Sequence, residues 1–224
     1  YLPDSNILLT RFLFHDGIGE ITDFMPVAEL FEDSYLVRRV SCIKGEIAFR
    51  MHCAPRFNYA RSKHKAGLLG NEIIFSSEGE DGMVLKLSSS IALELKNGEG
   101  FAEFTLRPGE KADFFLKRVR KNHSCSPNGC TDFVDRAFDV TLKYWKDWSG
   151  KATYKGRWRE MVMRSALVLK LLISHKHGSI IAAPTFGLPE FIGGGKNWDY
   201  RYTWIRDAAF TVYALMRLGY THET

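Results

Sequence analysis

From Asn197 to Phe210 the chain reads Asn-Trp-Asp-Tyr-Arg-Tyr-Thr-Trp-Ile-Arg-Asp-Ala-Ala-Phe. Four aromatic rings, Trp198, Tyr200, Tyr202 and Trp204, are interleaved with four charges, Asp199, Arg201, Arg206 and Asp207. These are the two ingredients of a saccharide site. Flat rings cover the apolar face of a pyranose, and ionised groups bind its hydroxyls with hydrogen bonds stronger than neutral ones. Arg206 offers a rigid fork of donors and Asp207 offers acceptor oxygens, so adjacent hydroxyls can be held from both sides. Spacing alone serves a second reading equally well: an ion pair or N-terminal cap at a helix start.

The elements that must position this segment differ between the two halves of the chain. In the first half apolar and polar residues alternate in short runs. A His-Asp-Gly turn joins 7–14 to 18–24, which predicts a hairpin, and a Lys-Gly turn joins 36–42 to 46–53, which predicts another. Further runs at 72–75, 83–87, 91–95, 101–106 and 112–119 are separated by turn formers such as Arg-Pro-Gly-Glu. Nine short strands without intervening helices predict an antiparallel β-sandwich.

After Ser-Pro-Asn-Gly at 126–129 the period changes. Phe133, Ala137, Phe138, Thr141, Trp145 and Trp148 recur at helical spacing. A second helix is expected from 157 to about 174, with Gly178 as its stop. A third is expected from 204 to about 218, with Gly219 just past its end. Trp145, Trp148 and Trp158, at helical spacing, are expected as core or sandwich-packing residues. Three helices this apolar cannot close a core alone. They either pack on the sandwich or need further helices after Thr224, and the second is the expectation.

Composition narrows the function classes. The chain has 224 residues, 45% apolar and 25% charged, as in a soluble globular protein able to bury a sizeable core. The net charge of +5 is scattered over the chain, and Arg118 to Lys121 read as a solvated strand end, so no nucleic-acid partner is expected. No apolar run approaches the ~18–20 residues of a membrane span, so no membrane partner is expected either. The start, Tyr-Leu-Pro-Asp-Ser-Asn, has no Met and no signal-peptide pattern. The expectation is a cytoplasmic protein whose natural start lies elsewhere. Cys42, Cys53, Cys125 and Cys130 form no CxxC pair, so no metal is expected. Cys125 and Cys130 flank the Ser-Pro-Asn-Gly break and can approach one another, though reduced thiols are the expectation. No other cofactor is called for, and oligomeric state is left open.

The second half resembles the start of the catalytic domain of glycoside hydrolase family 15, which contains glucoamylases and prokaryotic trehalase-like enzymes. The resemblance rests on Gly156-Arg-Trp-Arg-Glu160, Arg164-Ser-Ala-Leu167, Ile181-Ala-Ala-Pro-Thr185, Leu188-Pro-Glu190, Asn197-Trp-Asp-Tyr-Arg-Tyr202 and Trp204-Ile-Arg-Asp-Ala208. In the first half, Asp23-Phe-Met-Pro26 and Cys53-Ala-Pro-Arg-Phe-Asn-Tyr59 resemble the β-sandwich that precedes the helical barrel in the prokaryotic branch. The resemblance implies a multi-domain chain, β then α: an antiparallel β-sandwich over 1–125, a linker and linker helix over 126–156, and the first helices of an incomplete (α/α)6 barrel over 157–224. It also implies that Arg206 and Asp207 bind hydroxyls of the terminal glucose, with Tyr200 and Trp204 lining the same pocket. Against the helix-start reading, the resemblance decides for function. Two departures stand out: Phe186-Gly187 follows Ala-Pro-Thr where Thr-Ser is frequent, and Thr203 replaces a frequent Cys.

The family's reaction is inverting hydrolysis of α-glucosides, which needs a general acid and a general base ~6.5–9.5 Å apart. Twelve barrel helices with their loops need on the order of 200 residues, whereas about 95 follow Cys130. The catalytic carboxylates are therefore expected beyond Thr224 and none within this chain; Glu190 reads as structural. His175 and His177 are expected to complement a helix dipole. The expected whole is an enzyme releasing glucose from maltooligosaccharides, isomalto-linked glucans or trehalose. The rival is a non-catalytic carbohydrate-binding or structural module.

Overall fold

The computed structural model describes residues 1–27, 34–119, 130–184 and 191–223. Among these the chain divides into two compact units, one of Tyr1–Leu2 and Ile7–Tyr144, the other of Pro3–Asn6 and Trp145–Thr224.

Among the described residues of the first unit, ten strands form two antiparallel sheets. The strands are β1 (Leu8–Leu13), β2 (Ile18–Phe24), β3 (Tyr35–Lys44), β4 (Ile47–Cys53), β5 (His64–Leu69), β6 (Glu72–Ser77), β7 (Val84–Ser89), β8 (Glu94–Lys96), β9 (Glu99–Leu106) and β10 (Lys111–Val119). The larger sheet runs β1-β2-β3-β10-β7-β6-β5 and the smaller runs β4-β9-β8. Val40, Ile73, Phe75 and Phe114 of the larger sheet pack with Ala102 and Leu106 of the smaller, so a sandwich core forms. The layers meet closely at Gly100, where a Cβ would lie 2.9 Å from Cδ1 of Ile73.

The expected first hairpin is present, with Phe14 donating to the Gly17 carbonyl across the turn. The second is not. β3 is flanked by β2 and β10, while β4 pairs with β9. Gly45 (φ +80°) lies between β3 and β4, and a Cβ there would sit 2.2 Å from the Asp16 carbonyl oxygen. Its turn carries the chain into the other sheet. Both strands face one core, β3 from the larger sheet and β4 from the smaller. Strand β5 was not expected. It is an edge strand whose Lys-Ala-Gly-Leu-Leu lacks β-branched residues, and β6 is its sheet neighbour. The expected run at 91–95 shrinks to the three residues of β8.

Helix α1 (Cys130–Ser149) has the expected apolar stripe. Val134 and Ala137 pack on Phe24, Tyr35, Val37 and Phe115, covering the opposite face of the larger sheet. Alternation explains the two faces: Phe114 enters one core and its neighbour Phe115 the other.

In the second unit, α2 (Arg159–Leu171) ends with Leu172 as its C-cap, short of the expected 174. Gly178 does not stop it. Gly178 closes a tight reversal instead, donating to the Ser174 carbonyl at 2.8 Å beside a bridge between Ile173 and Ile180. His175 and His177 lie in that reversal, beyond the final turn where a helix dipole acts. Trp158 precedes α2 and is 55% exposed, stacked against the Arg157 guanidinium at 4.4 Å, so it is not a core residue. Trp145 and Trp148 are buried as expected.

Helix α3 (Ile205–Arg217) ends in a Schellman motif. Gly219 (φ +94°) donates to Met216 and Tyr220 donates to Leu215, both at 3.0 Å, and the buried Leu215 and Tyr220 provide its apolar contact. Residues 3–6 are held in this unit by α2. Arg159 binds both carboxylate oxygens of Asp4, and Arg164 donates to the Ser5 carbonyl and to Oδ1 of Asn6.

Candidate functional site

The aromatic segment runs beside 182–183 and turns directly into α3. Ala183 N–H donates to the Tyr200 carbonyl at 2.8 Å, and Ala182 N–H to that of Tyr202 at 3.1 Å. Trp204 is the N-cap residue in extended conformation, and its carbonyl accepts from Ala208 at 2.9 Å. Its half-buried indole is the hub of the aromatic group. Tyr200 stacks on it with centroids 5.3 Å apart and planes inclined by 24°, while Trp198 meets it edge-on at 6.1 Å.

Arg206 and Asp207 follow as the second and third residues of α3. One Nη of Arg206 lies 3.1 Å from Oδ2 of Asp207. Asp207 is the acidic residue of the first turn, where the helix dipole favours a negative charge. The ion pair is open to solvent, with the Arg206 side chain 71% exposed and that of Asp207 35%. An exposed pair of this kind adds little stability, and its donors and acceptors remain accessible to a polyol.

All four predicted residues thus fall within one aromatic turn and the helix start it feeds: Tyr200 and Trp204 as a stack, Arg206 and Asp207 as an ion pair. A second pair was not singled out from the sequence. Asp199 receives Arg201 Nε at 3.0 Å, one Arg201 Nη at 2.7 Å and the Arg201 backbone N–H at 3.0 Å. The Asp199 carbonyl accepts the Trp204 indole N–H at 3.1 Å. The signal was present as Asp-x-Arg, but two charges two apart in a loop carry no period that marks them as partners.

Glu190, Phe186 and Gly187 lie outside the described residues. Among the described residues, no group of three His, Cys, Asp or Glu is placed to hold a metal. Cys42, Cys53 and Cys130 are free thiols, and Cys125 lies outside the described residues. Burial pushes the Cys53 thiol up to about 11 and that of Cys130 up to about 12, so neither is a ready nucleophile. Among the described residues no helix is long and apolar enough to cross a membrane.

Stacked rings beside an accessible Arg-Asp pair at a helix start are chemistry that suits a carbohydrate ligand. Residues 156–224 match the model of the Glycosyl hydrolases family 15. Along its whole length the chain is similar to trehalases. It is 35% identical to the trehalase of Thermoplasma acidophilum, covering 100% of this chain and 38% of the relative. For the trehalase of Thermoplasma volcanium the identity is 32%, covering 100% and 35%. For that of Mycolicibacterium smegmatis it is 29%, covering 100% and 36%. The chain therefore spans little more than a third of the length of these relatives.

Proposed function

We propose that this chain is part of a glycoside hydrolase that cleaves α-linked glucose disaccharides with inversion, trehalose being the substrate favoured over maltooligosaccharides. The observation that carries this reading is the alignment of the entire chain, sandwich included, with trehalases. In this reading Tyr200 and Trp204 face the terminal glucose, and Arg206 and Asp207 take its hydroxyls. A guanidinium fork and a carboxylate bind vicinal hydroxyls as donor and acceptor, which fixes the ring before any bond is broken. Residues 157–224 would open a helical catalytic barrel behind a sandwich domain and a linker helix. The general acid and general base would lie outside residues 1–224.

Glucose release from trehalose and from maltose by the full natural protein tests the proposal. The expected outcome is turnover of trehalose that first yields α- and β-glucose in equal amounts by NMR, the attacked unit inverted to β and the leaving unit still α, with turnover lost in Arg206→Ala. Binding of either sugar without turnover would favour a carbohydrate-binding module, and turnover by residues 1–224 alone would overturn the placement of the acid and base.

A further inference from the structure

Asp199 places three acceptors on three different donors within its own turn. Its carboxylate takes the Arg201 guanidinium through two bonds and the Arg201 backbone N–H through another, while its carbonyl takes the Trp204 indole. An exposed ion pair is ordinarily worth little, because two long side chains must be ordered to make it. This pair differs in two ways. The fork is bidentate, which fixes orientation as well as distance. The backbone N–H bond makes an Asx-type turn that sets the chain direction between the two residues. The hydrogen bonds from Arg201 also hold the Asp199 carboxyl below the usual carboxylate range, so the pair persists when the solution is mildly acid.

The residue enclosed by this brace is Tyr200, and the ring tied to the Asp199 carbonyl is Trp204. These two form the stack at 5.3 Å. The brace also commits Arg201 Nε and one Nη to Asp199, which separates the two guanidinium groups of the segment by task. We infer that Asp199 is a positioning residue, which through Arg201 and Trp204 sets the Tyr200–Trp204 platform against which the sugar is bound, leaving Arg206 as the guanidinium turned to substrate. This rests on the sugar-site reading proposed above.

The test uses the full natural protein with trehalose as probe and three variants, Asp199→Asn, Arg201→Gln and Arg206→Gln. Asp199→Asn keeps an acceptor for the backbone N–H but loses the charge, whereas Arg201→Gln keeps the backbone bond and loses the fork, so the second variant serves if the first folds poorly. Each is expected to raise KM roughly tenfold, as for displaced substrate-positioning groups, with kcat within about twofold and an altered near-UV circular dichroism from the coupled rings. The double variant Asp199→Asn, Arg201→Gln should be no worse than either single one, because the two act as a unit. An unchanged KM in both brace variants, with a raised KM in Arg206→Gln, overturns the brace and leaves the sugar site standing. An unchanged KM in all three overturns the site and the brace together.

Discussion

The rings of Trp148 and Tyr220 stack face to face, 4.0 Å between centroids and 3° from parallel. The contact joins the end of α1 to Tyr220, three residues past the end of α3, and both rings are buried. Trp148 also donates its indole N–H to Oε1 of Glu223 at 2.7 Å, and Lys170 reaches the same oxygen at 3.1 Å. Tyr220 completes the Schellman motif, so one residue closes α3 and packs the unit.

Tyr220→Ala removes a fully buried ring and is expected to destabilise the second unit by about 3–5 kcal/mol, the usual range for deleting a core aromatic. Trp148→Phe keeps a ring in the stack but leaves Glu223 short of a donor, at an expected cost of about 1–3 kcal/mol. Urea denaturation followed by tryptophan fluorescence and far-UV circular dichroism measures both. Equal costs would mean that the indole hydrogen bond, and not the ring, holds the contact.

Glu223 also gives the unit a pH dependence. Burial alone would raise its pKa, but the hydrogen bonds from Trp148 and Lys170 outweigh it and leave the group below its ordinary 4.5. A carboxyl with a depressed folded pKa contributes stability that is present in full above the unfolded value and is lost as pH falls through the folded one. Melting curves of the parent and Glu223→Gln should therefore be separated above about pH 4.5 and converge below it. Constant separation down to pH 3 would show that the carboxylate charge is not what stabilises.

Legibility in the sequence varied with how local the deciding physics was. β1 and β2 were readable because alternation and a three-residue turn sit side by side, and α3 because Gly219 marks its end. The partner of β3 was not readable. Gly45 looked like a hairpin turn, but the choice between a neighbouring strand and the opposite layer is made by core residues up to some seventy positions away, such as Ala112 and Phe114. Trp158 was misplaced because helical spacing was extended two residues past the true start of α2. At the candidate site the four residues and their order could be read, but the brace from Asp199 to Arg201 and Trp204 could not, since loop geometry leaves no periodic trace.

Asp113 anchors the larger sheet from within. Its side chain is fully buried, with both oxygens on Arg39 at 2.6 and 2.9 Å. Arg39 also binds Asp135 of α1 at 2.7 Å, which ties helix to sheet in the first unit. Removing one partner of a buried pair leaves the other charge in a poor solvent, typically at a cost of about 3–5 kcal/mol. Asp113→Ala is expected to fall near the lower end, because Asp135 still compensates Arg39. The double variant with Asp135→Asn should exceed the sum of the single ones, and strict additivity in a double-mutant cycle would argue that the three charges do not form one network.

Arg206→Lys separates the role of charge from that of shape. Lysine keeps the positive charge next to Asp207 but replaces the planar fork by a single ammonium. If the guanidinium bridges two sugar hydroxyls, one charge-assisted hydrogen bond is lost, about 1.5–3 kcal/mol, which is roughly a tenfold to hundredfold weaker affinity for glucose or trehalose. The side chain is mostly exposed and its ion pair weak, so the melting temperature should hardly move. Asp207→Asn should weaken binding less, since an amide oxygen still accepts a hydrogen bond. Isothermal titration of the full protein with both sugars, alongside thermal melts, checks both outcomes. Lost stability with unchanged affinity in Arg206→Lys would return Arg206 and Asp207 to the simpler role of an ion pair at the start of a helix.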